Sequence, residues 1–521
     1  MASYILGRIV RGVLSVVIVV AVVMVLIYSC LDRNLIFAND PVFSKQKSNA
    51  QEVYKMQQWE NYGYVDYVPY GEYLSGLSLE GNVYEQAVKL GNRPQQDSAT
   101  AADYIARFTR DYEAKGYTVV RLNGKLRGNT QTYLDGGEPR LYAYKDVPLL
   151  YRLWDYLSGL VRVDNIHAVH EDVGKRGLTF TWFDPVYGGK KFSPAIMGNG
   201  THHKYLLYFD DVFPYLHQNF VTIRLGRSYS VNQGVDVFDT MTRKQGARSM
   251  SQVTYPSGNT EYSADDLHSA TYVPGSYEKG DAVIHRNFVD DYTGVQTRKS
   301  GLSKLGYSFT IGIISVALAY GLAFPLGIWM ARKKDQLPDR LGTVYIVFIM
   351  AVPSLAYIFL FKAIGQAVGL PVTFDMEHST WLMYVLPVIS LALPSAANLM
   401  KWLRRYMIDQ MNADYVKFAR GSGLGEGTIF RSHVLKNAAI PMVHGIPAAI
   451  LGSLVGAIIT ERVYVVPGAG NLLTGAINSY DNGAIVGVTL FYAVISVAAV
   501  ILGDMLISVM DPRITFGRKE R

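Results

Sequence analysis

Apolar residues along this chain gather into six long runs separated by polar, basic or mixed stretches. A helix that crosses a membrane needs about 20 predominantly apolar residues, and each run is long enough. The first, "IVRGVLSVVIVVAVVMVLIYSCL", covers about Ile9 to Leu31. The others cover about Tyr307–Ala331, Leu341–Ala367, Trp381–Met400, Ala438–Ile459 and Ala484–Val509. The first run is too long for the core of a signal peptide and no small-residue cleavage pattern follows it, so a retained span is expected. Pro325, Pro353, Pro387, Pro394 and Pro447 interrupt the second to fifth runs. Neighbouring helices can re-satisfy the backbone groups such prolines free. Small residues in "GIPAAILGSLVGA" (Gly445 to Ala457) allow close helix approach. The pattern predicts a packed, polytopic α-helical membrane protein.

Between the first two runs lies a long stretch, 32–305, with short-range signals of both helix and strand. "SATAADYIARFTRDYEAKG" predicts a helix: Ser98 or Thr100 caps it, Tyr104, Phe108 and Tyr112 recur on one face, and Gly116 ends it. "YTVVRL" (Tyr117 to Leu122) and "LTFTWF" (Leu178 to Phe183) predict strands. "DVPLLYRLWDYLSGLVRVD" predicts a helix with Asp146 as N-cap and Pro148 near its first turn. Its apolar face, Leu149, Leu150, Leu153, Trp154, Leu157 and Leu160, suits either core packing or a helix lying on a membrane surface. The domain division expected is 1–31 for the N-terminus and first span, 32–305 for a mixed α+β domain, and 306–521 for five further spans.

Composition agrees with a membrane bundle joined to a wet domain. The 521 residues are 49% apolar and 18% charged, with mean hydropathy +0.10. Of the 50 Lys and Arg and 43 Asp and Glu, Asp32 to Lys304 holds 31 of each, so the whole +7 excess lies elsewhere. A nucleic-acid binder concentrates basic charge in its folded wet domain; this chain does the opposite, and no nucleic-acid partner is expected. The excess falls beside the spans: Arg8 and Arg11, "ARKKDQLPDR" (Ala331 to Arg340), Lys401 to Lys436, and Arg513 to Arg521. Positive residues in short flanking loops stay inside. All but Lys362 and Arg462 share one side if six spans exist, so both termini are expected in the cytoplasm and 32–305 outside.

Little in the sequence points to catalysis. The single cysteine, Cys30, excludes an internal disulfide and a cysteine-based zinc site. His167 and His170, and the adjacent His202 and His203, lack the company a metal site needs. No G-x-S-x-G nucleophile turn occurs. No G-x-x-x-x-G-K-[ST] loop occurs either, so an energy source must come from a gradient or a partner. Asp504 is an isolated carboxylate within the sixth run. Charges at such depth usually have a partner, here expected to be Arg8 or Arg404, although a proton-relay role fits a gradient-driven carrier.

The stretch from Ala413 to Pro441, "ADYVKFARGSGLGEGTIFRSHVLKNAAIP", is longer than a simple connection needs. It predicts two short helices, Ala413–Gly421 and Glu426–Asn437, broken by Ser422 to Gly425, with Glu426 favourably placed in the first turn of the second. Tyr415, Phe418, Ile429 and Phe430 are apolar residues expected on its surface, and Ala419 and Gly423 leave a small-residue notch. A docking element and a helix pair resting on lipid headgroups both fit these features.

This stretch resembles the cytoplasmic coupling loop (401–437 with its approaches) of ABC-importer permeases of the dipeptide/oligopeptide group. Asp414, Tyr415, Val416, Ala419, Arg420, Gly423, Leu424, His433, Leu435, Asn437, Ala438 and Pro441 match its pattern, while Gly421 and Ser422 replace the usual Ala-Lys. "ERVYVVPGAGNLLTGAINSYDN" resembles the family's external segment between spans five and six, through Glu461, Pro467, Gly468 and Gly470. Asp504 with "MDPRI", "YILGRIVRGVLSVVIVV" and "LGRSYSVNQGVDVFDTM" resemble further family segments. "HKYLLYFDDVFPYLHQNF" and "VPLLYRLWDYL" resemble the long B-type permeases of Ami/Opp oligopeptide importers of Gram-positive bacteria.

The resemblance implies six transmembrane helices of the ABC type I importer permease fold, with the large extracytoplasmic insertion between helices 1 and 2. It implies a non-catalytic subunit of the bacterial plasma membrane with no cofactor of its own. The implied partners are a second homologous permease, two cytoplasmic ATPases carrying ATP and Mg, an extracellular peptide-binding lipoprotein, the peptide itself and membrane lipid. Asp414, Tyr415, Phe418, Ala419, Arg420, Gly423, Leu424 and His433 would then contact an ATPase. Dipeptide or nickel permeases share the loop; a membrane receptor would need a larger cytoplasmic output domain, and a secondary carrier would normally show internal repeats.

Overall fold

The computed structural model describes residues 2–77, 99–128, 132–170, 175–183, 194–209, 216–230, 234–242, 301–376, 378–453 and 457–510, with a few short pieces between them. The first helix, α1 (Ala2–Cys30), is unbroken. It begins before the expected Ile9, so Arg8 and Arg11 ride on the helix rather than precede it.

After α1 the chain builds a domain of small sheets and helices. α2 (Ser48–Asn61) leads to β1 (Val65–Pro69). α3 (Ala99–Ala114), β2 (Thr118–Leu122) and β3 (Arg140–Asp146) follow. Gly116 carries the positive φ of +79° that turns the chain out of α3. The three strands form an antiparallel sheet in the order β1-β3-β2. Alternation along β3 gives the sheet two cores. Leu141 and Ala143 meet Tyr70, Leu74 and Phe108 on one face. Tyr142 meets Phe37, Met56, Trp59 and Tyr67 on the other.

The next helix, α4 (Leu149–Gly159), is capped by Pro148 and not by the expected Asp146. Asp146 still belongs to β3, paired with Val65, and its carboxylate takes the Arg33 guanidinium at 2.5 Å. Strand pairing and an ion pair thus outcompete the capping role. β4 (Val161–Val163) pairs with β9 (Val221–Ile223). Between them β5 (Gly177–Thr181), β6 (Ala195–Asn199), β7 (Tyr205–Phe209) and β8 (Leu216–Gln218) form a four-stranded antiparallel sheet. Both expected strands are present, shortened by one or two residues at their ends.

The apolar half follows. α5 (Lys304–Arg332) and α8 (Leu382–Met411) are the long central helices. They pack through small side chains, Ala319 and Ala323 on one and Ala392, Ala396 and Ala397 on the other. Carbonyls beside Pro394 of α8 and Pro441 of the later helix Lys436–Gly452 find hydroxyl donors. Tyr345 Oη donates to Leu393 O at 2.6 Å and Tyr320 Oη to Met442 O at 3.1 Å.

The third expected span is not one helix. α6 (Leu337–Ala351) and α7 (Ser354–Ala367) meet at a bend of 111°. Pro353 is the reason: the residue before a proline is pushed out of the helical region, and Val352 is extended at φ −85°, ψ 130°. At 15 and 14 residues, each arm reaches only about 22 Å, short of a hydrocarbon core. Among the described residues, five helices are long and apolar enough to cross a membrane, or six if the bent pair counts as one.

Beyond α8 come α9 (Asp414–Gly421), α10 (Lys436–Gly452), α11 (Ile458–Tyr464), α12 (Asn471–Asn478) and α13 (Asn482–Met510). α8 runs eleven residues past the expected Met400, and α10 stops at Gly452 short of Ile459.

The segment between α1 and α5 is bolted to the start of α13. Asp481 is fully buried. It accepts from Ser228 Oγ at 2.6 Å, Tyr229 N at 2.8 Å and Ser230 N at 3.0 Å, and caps its own helix through Ala484 N at 3.0 Å. Asn482 Nδ2 donates to Tyr64 Oη at 2.6 Å. Arg152 of α4 stacks between the rings of Tyr28 and Tyr64, at 3.7 and 4.2 Å.

Candidate functional site

The Ala413–Pro441 stretch forms an elbow. Good helix formers carry α9 from Asp414 to Gly421. Gly423, at φ +80°, makes the turn that a side chain would strain. Leu424 N then closes onto Ala419 O at 3.2 Å. The chain re-enters helix at Glu426, passes through a π-helical stretch at Ile429–Leu435 and continues without interruption into α10. The second short helix expected over Glu426–Asn437 is therefore the lower end of a 27-residue helix, Glu426–Gly452.

The inner side of the elbow is packed. Val416 and Ala419 join Ala331, Leu403, Met407, Ile429, Val434 and Ala438 in one apolar cluster. Ile429 is buried rather than exposed, and Phe430 sits under the Arg332 guanidinium at 4.3 Å. Ala419 faces this cluster, so the Ala419–Gly423 notch is not open to a partner. Polar contacts brace the bend. Arg420 binds Glu426 through two contacts, 2.6 and 3.2 Å. Glu426 therefore serves the bend by pairing across it, besides its place in the first turn. Tyr415 Oη donates to Gln410 Oε1 at 2.6 Å, receives Asn437 Nδ2 at 3.1 Å and lies 3.4 Å from the carbonyl of His433. Asp414 pairs with Lys417 at 2.8 Å on the surface.

Among the charged side chains at its surface, the elbow presents two large apolar ones. Phe418 is 78% exposed and Leu424 43%. An exposed aromatic on a braced backbone costs little conformational entropy to bind, which is how interface anchors work. Of the eight residues singled out by sequence, Phe418, Leu424 and in part Tyr415 face outward. Ala419 and Gly423 shape the bend, and Arg420 braces it.

The motif at Glu461, Pro467, Gly468 and Gly470 closes around a buried carboxylate. Glu461 accepts from Ser308 Oγ at 2.7 Å, Gly470 N at 2.8 Å and Ala457 N at 3.2 Å. Ser308 Oγ in turn accepts from Ala469 N at 2.7 Å. A Cβ on Gly468 would fall 2.5 Å from Glu461 Cδ, and one on Gly470 2.8 Å from Glu461 Oε2. The glycines are thus needed for the backbone to lie on the carboxylate. Pro467 O receives Gln245 Nε2 at 2.8 Å. Beside this turn lies a cavity of about 180 Å³, whose walls carry the hydroxyls of Ser308, Ser315, Ser395 and Ser453.

Asp504 meets Arg8 at 2.8 Å, one of the two partners expected. The other, Arg404, is held by Asp339 through contacts of 2.5 and 2.7 Å. Asp339 and Asp481 escaped the sequence reading. An Asp just before an apolar run signals a helix cap, so the cap at Asp481 was findable, but its distant loop partner was not. Among the described residues no group of three or more His, Cys, Asp or Glu converges as a metal site.

Residues 323–516 match the family described as binding-protein-dependent transport system inner membrane component. The oligopeptide transport system permease protein AmiC of Streptococcus pneumoniae is 33% identical over all of this chain and 99% of its own length. The dipeptide transport system permease protein DppB of Lactococcus lactis is 28% identical over 40% of this chain and 69% of its own. The MetNI methionine ABC transporter in an inward-facing form aligns with 40% of this chain and 94% of its own at 14% identity, with TM-score 0.32. The full-length match to AmiC, with its elbow and its glycine-cradled turn, places this chain in the binding-protein-dependent transport system inner membrane component family, within the Ami/Opp group of oligopeptide permeases.

Proposed function

We propose that this chain is the transmembrane permease subunit of an ATP-driven oligopeptide importer, transmitting force through the elbow. The bent pair α6–α7 counts as one of six spans, both termini lie in the cytoplasm, and residues 32–305 face outward. A second homologous permease completes the pathway. Two cytoplasmic ATPases, carrying ATP and Mg, receive the elbows, and an extracellular peptide-binding lipoprotein delivers the peptide. The chain itself performs no catalysis.

One observation carries this reading: the elbow and the cavity lie at opposite ends of one helix. Phe418 and Leu424 project from the elbow braced onto Glu426, and Gly452, the last residue of that same helix, lines the cavity with Ser453. A 27-residue helix is about 40 Å long, so displacement at one end tilts the other. Ser315, Ser395 and Ser453 donate their hydroxyl protons to the carbonyls of Ile311, Leu391 and Ile450, which leaves their oxygens to accept from main-chain N–H groups of peptides of varied sequence.

The test is peptide uptake by the assembled importer carrying Phe418→Ala with Leu424→Ala. Both side chains are exposed, so the subunit is expected in the membrane at its normal level with uptake and ATPase association lost. Unchanged uptake and association would remove the elbow as the coupling element.

A further inference from the structure

The apolar face of α4 is wider than the protein that covers it. Leu153, Tyr156, Leu157 and Leu160 pack on the cluster formed by Met24 and Ile27 of α1 and the first turns of α13. Successive residues turn about 100° around a helix axis, and the apolar arc continues past this contact to Leu150 and Trp154. These two remain 80% and 71% exposed. Beyond them on the same helix come Ser158 and Asp155, which are polar. The ribbon that follows repeats the arrangement. Val161 and Val163 of β4 are 57% and 60% exposed, and Ile223, paired with Val161, is 42% exposed.

Left in water, such a strip is a liability. Its position argues for a different neighbour. α4 crosses α1 at Met24 and Ile27, within two turns of the helix end at Cys30. The same part of α1 leaves Val22, Val25 and Leu26 exposed on its other faces, as expected of a surface against lipid. Trp and Tyr concentrate at the membrane–water boundary, where one end of the ring is apolar and the other wet.

We propose that α4 and the β4–β9 ribbon rest on the outer-leaflet phospholipid, with Leu150 and Trp154 in the boundary between acyl chains and headgroups. Asp155 and Ser158 face water. The outer domain is then held at the bilayer by a lipid contact as well as by its protein contacts to α1 and α13.

The single cysteine makes the test clean. In a Cys30→Ser background, nitroxide labels go one at a time on Leu150→Cys, Trp154→Cys, Asp155→Cys and Ser158→Cys, with the full importer reconstituted in phosphatidylethanolamine–phosphatidylglycerol bilayers. Collision rates with molecular oxygen and with a water-soluble nickel chelate are measured at each site. The expected result is oxygen-favoured collision at 150 and 154 and nickel-favoured collision at 155 and 158. Nickel access at 150 and 154 equal to that at 155 and 158 overturns the proposal in favour of water. Protection of 150 and 154 from both reagents overturns it in favour of a protein neighbour. A label-free measurement covers loss of assembly on labelling: phospholipid brominated near the headgroup should quench Trp fluorescence, and Trp154→Tyr should remove part of the quenched signal. No change in the quenched fraction overturns the proposal as well.

Discussion

Asp481→Ala tests how the segment between α1 and α5 is attached to α13. Its carboxylate is fully buried and satisfies three backbone N–H groups, those of Tyr229, Ser230 and Ala484, besides the hydroxyl of Ser228. Hydroxyls can rotate to new acceptors; backbone N–H groups cannot. Each buried donor left unsatisfied costs about 1–3 kcal/mol, and water entering the vacated space returns part of this. The net loss expected for the contact between the 228–230 loop and the start of α13 is about 3–5 kcal/mol. At about 1.4 kcal/mol per tenfold, local opening becomes more frequent by about two to three and a half powers of ten. Hydrogen exchange with mass spectrometric detection reads this directly at the amides of 226–230. Asp481→Asn keeps one acceptor oxygen and turns an NH₂ toward donors, so it should fall between Asp and Ala. If exchange in that segment were unchanged in Asp481→Ala, the carboxylate would not be what holds the loop.

Gly468→Ala must push a methyl into Glu461 and Ser308, an overpacking that costs about 1–3 kcal/mol and should lower the unfolding temperature of the purified chain. Gly475→Ala, with nothing within 4 Å of its added Cβ, should be neutral or slightly stabilising in the same assay. Arg420→Glu and Glu426→Arg should each reduce peptide uptake by unbracing the elbow, and the double swap should recover a substantial part of it. Burial holds the His202 and His203 imidazoles below their usual pKa, with Arg162 acting in the same direction and Asp164 against it. The folded chain therefore binds fewer protons at these two groups than the unfolded chain as pH falls from about 6.5 toward their lowered folded values. Their stability contribution is full above that pH and lost as pH falls through and below it, so His202→Gln with His203→Gln should flatten the acid limb of the chain's unfolding curve.

Local chemistry made much of this protein legible. α3 ends at its glycine as expected, and β2 and β5 follow from short apolar runs. The Arg8–Asp504 pair was foreseeable because a charge at that depth needs a partner and few cations lie near the same end. Competition between local and distant demands was not legible. Asp146 reads as a cap until β1 is known to pair with it. Pro353 reads like the other span prolines, yet it breaks its helix while Pro325, Pro387, Pro394, Pro441 and Pro447 remain inside theirs. The difference lies in packing. α5 and α8 hold each other along their length, and Ser315 of α5 and Tyr345 of α6 donate to α8 carbonyls beside its prolines, whereas around Pro353 α6 and α7 leave Val344, Val347, Leu355 and Phe359 exposed.

The same competition explains why the elbow is one piece with α10. Glycines at 421, 423, 425 and 427 suggest two independent short helices, but the chain has a strong reason to resume helix at Glu426. Ile429 and Val434 are buried against Leu403, Met407 and Ala331; residues five apart stand about 140° apart on an α-helix, and the wider π-helical turn brings them toward one face. The π-helical stretch over Ile429–Leu435 accommodates the change of phase between the elbow's contacts and those of α10. Such a stretch adds a residue to the turn without breaking the helix. An element meant to transmit force needs this combination. In the coupling proposed above, Gly423 would let α9 fold back, Arg420 and Tyr415 would brace the fold, and the unbroken helix would carry displacement to the cavity at its far end. A free glycine hinge at 421–427 would absorb the movement instead.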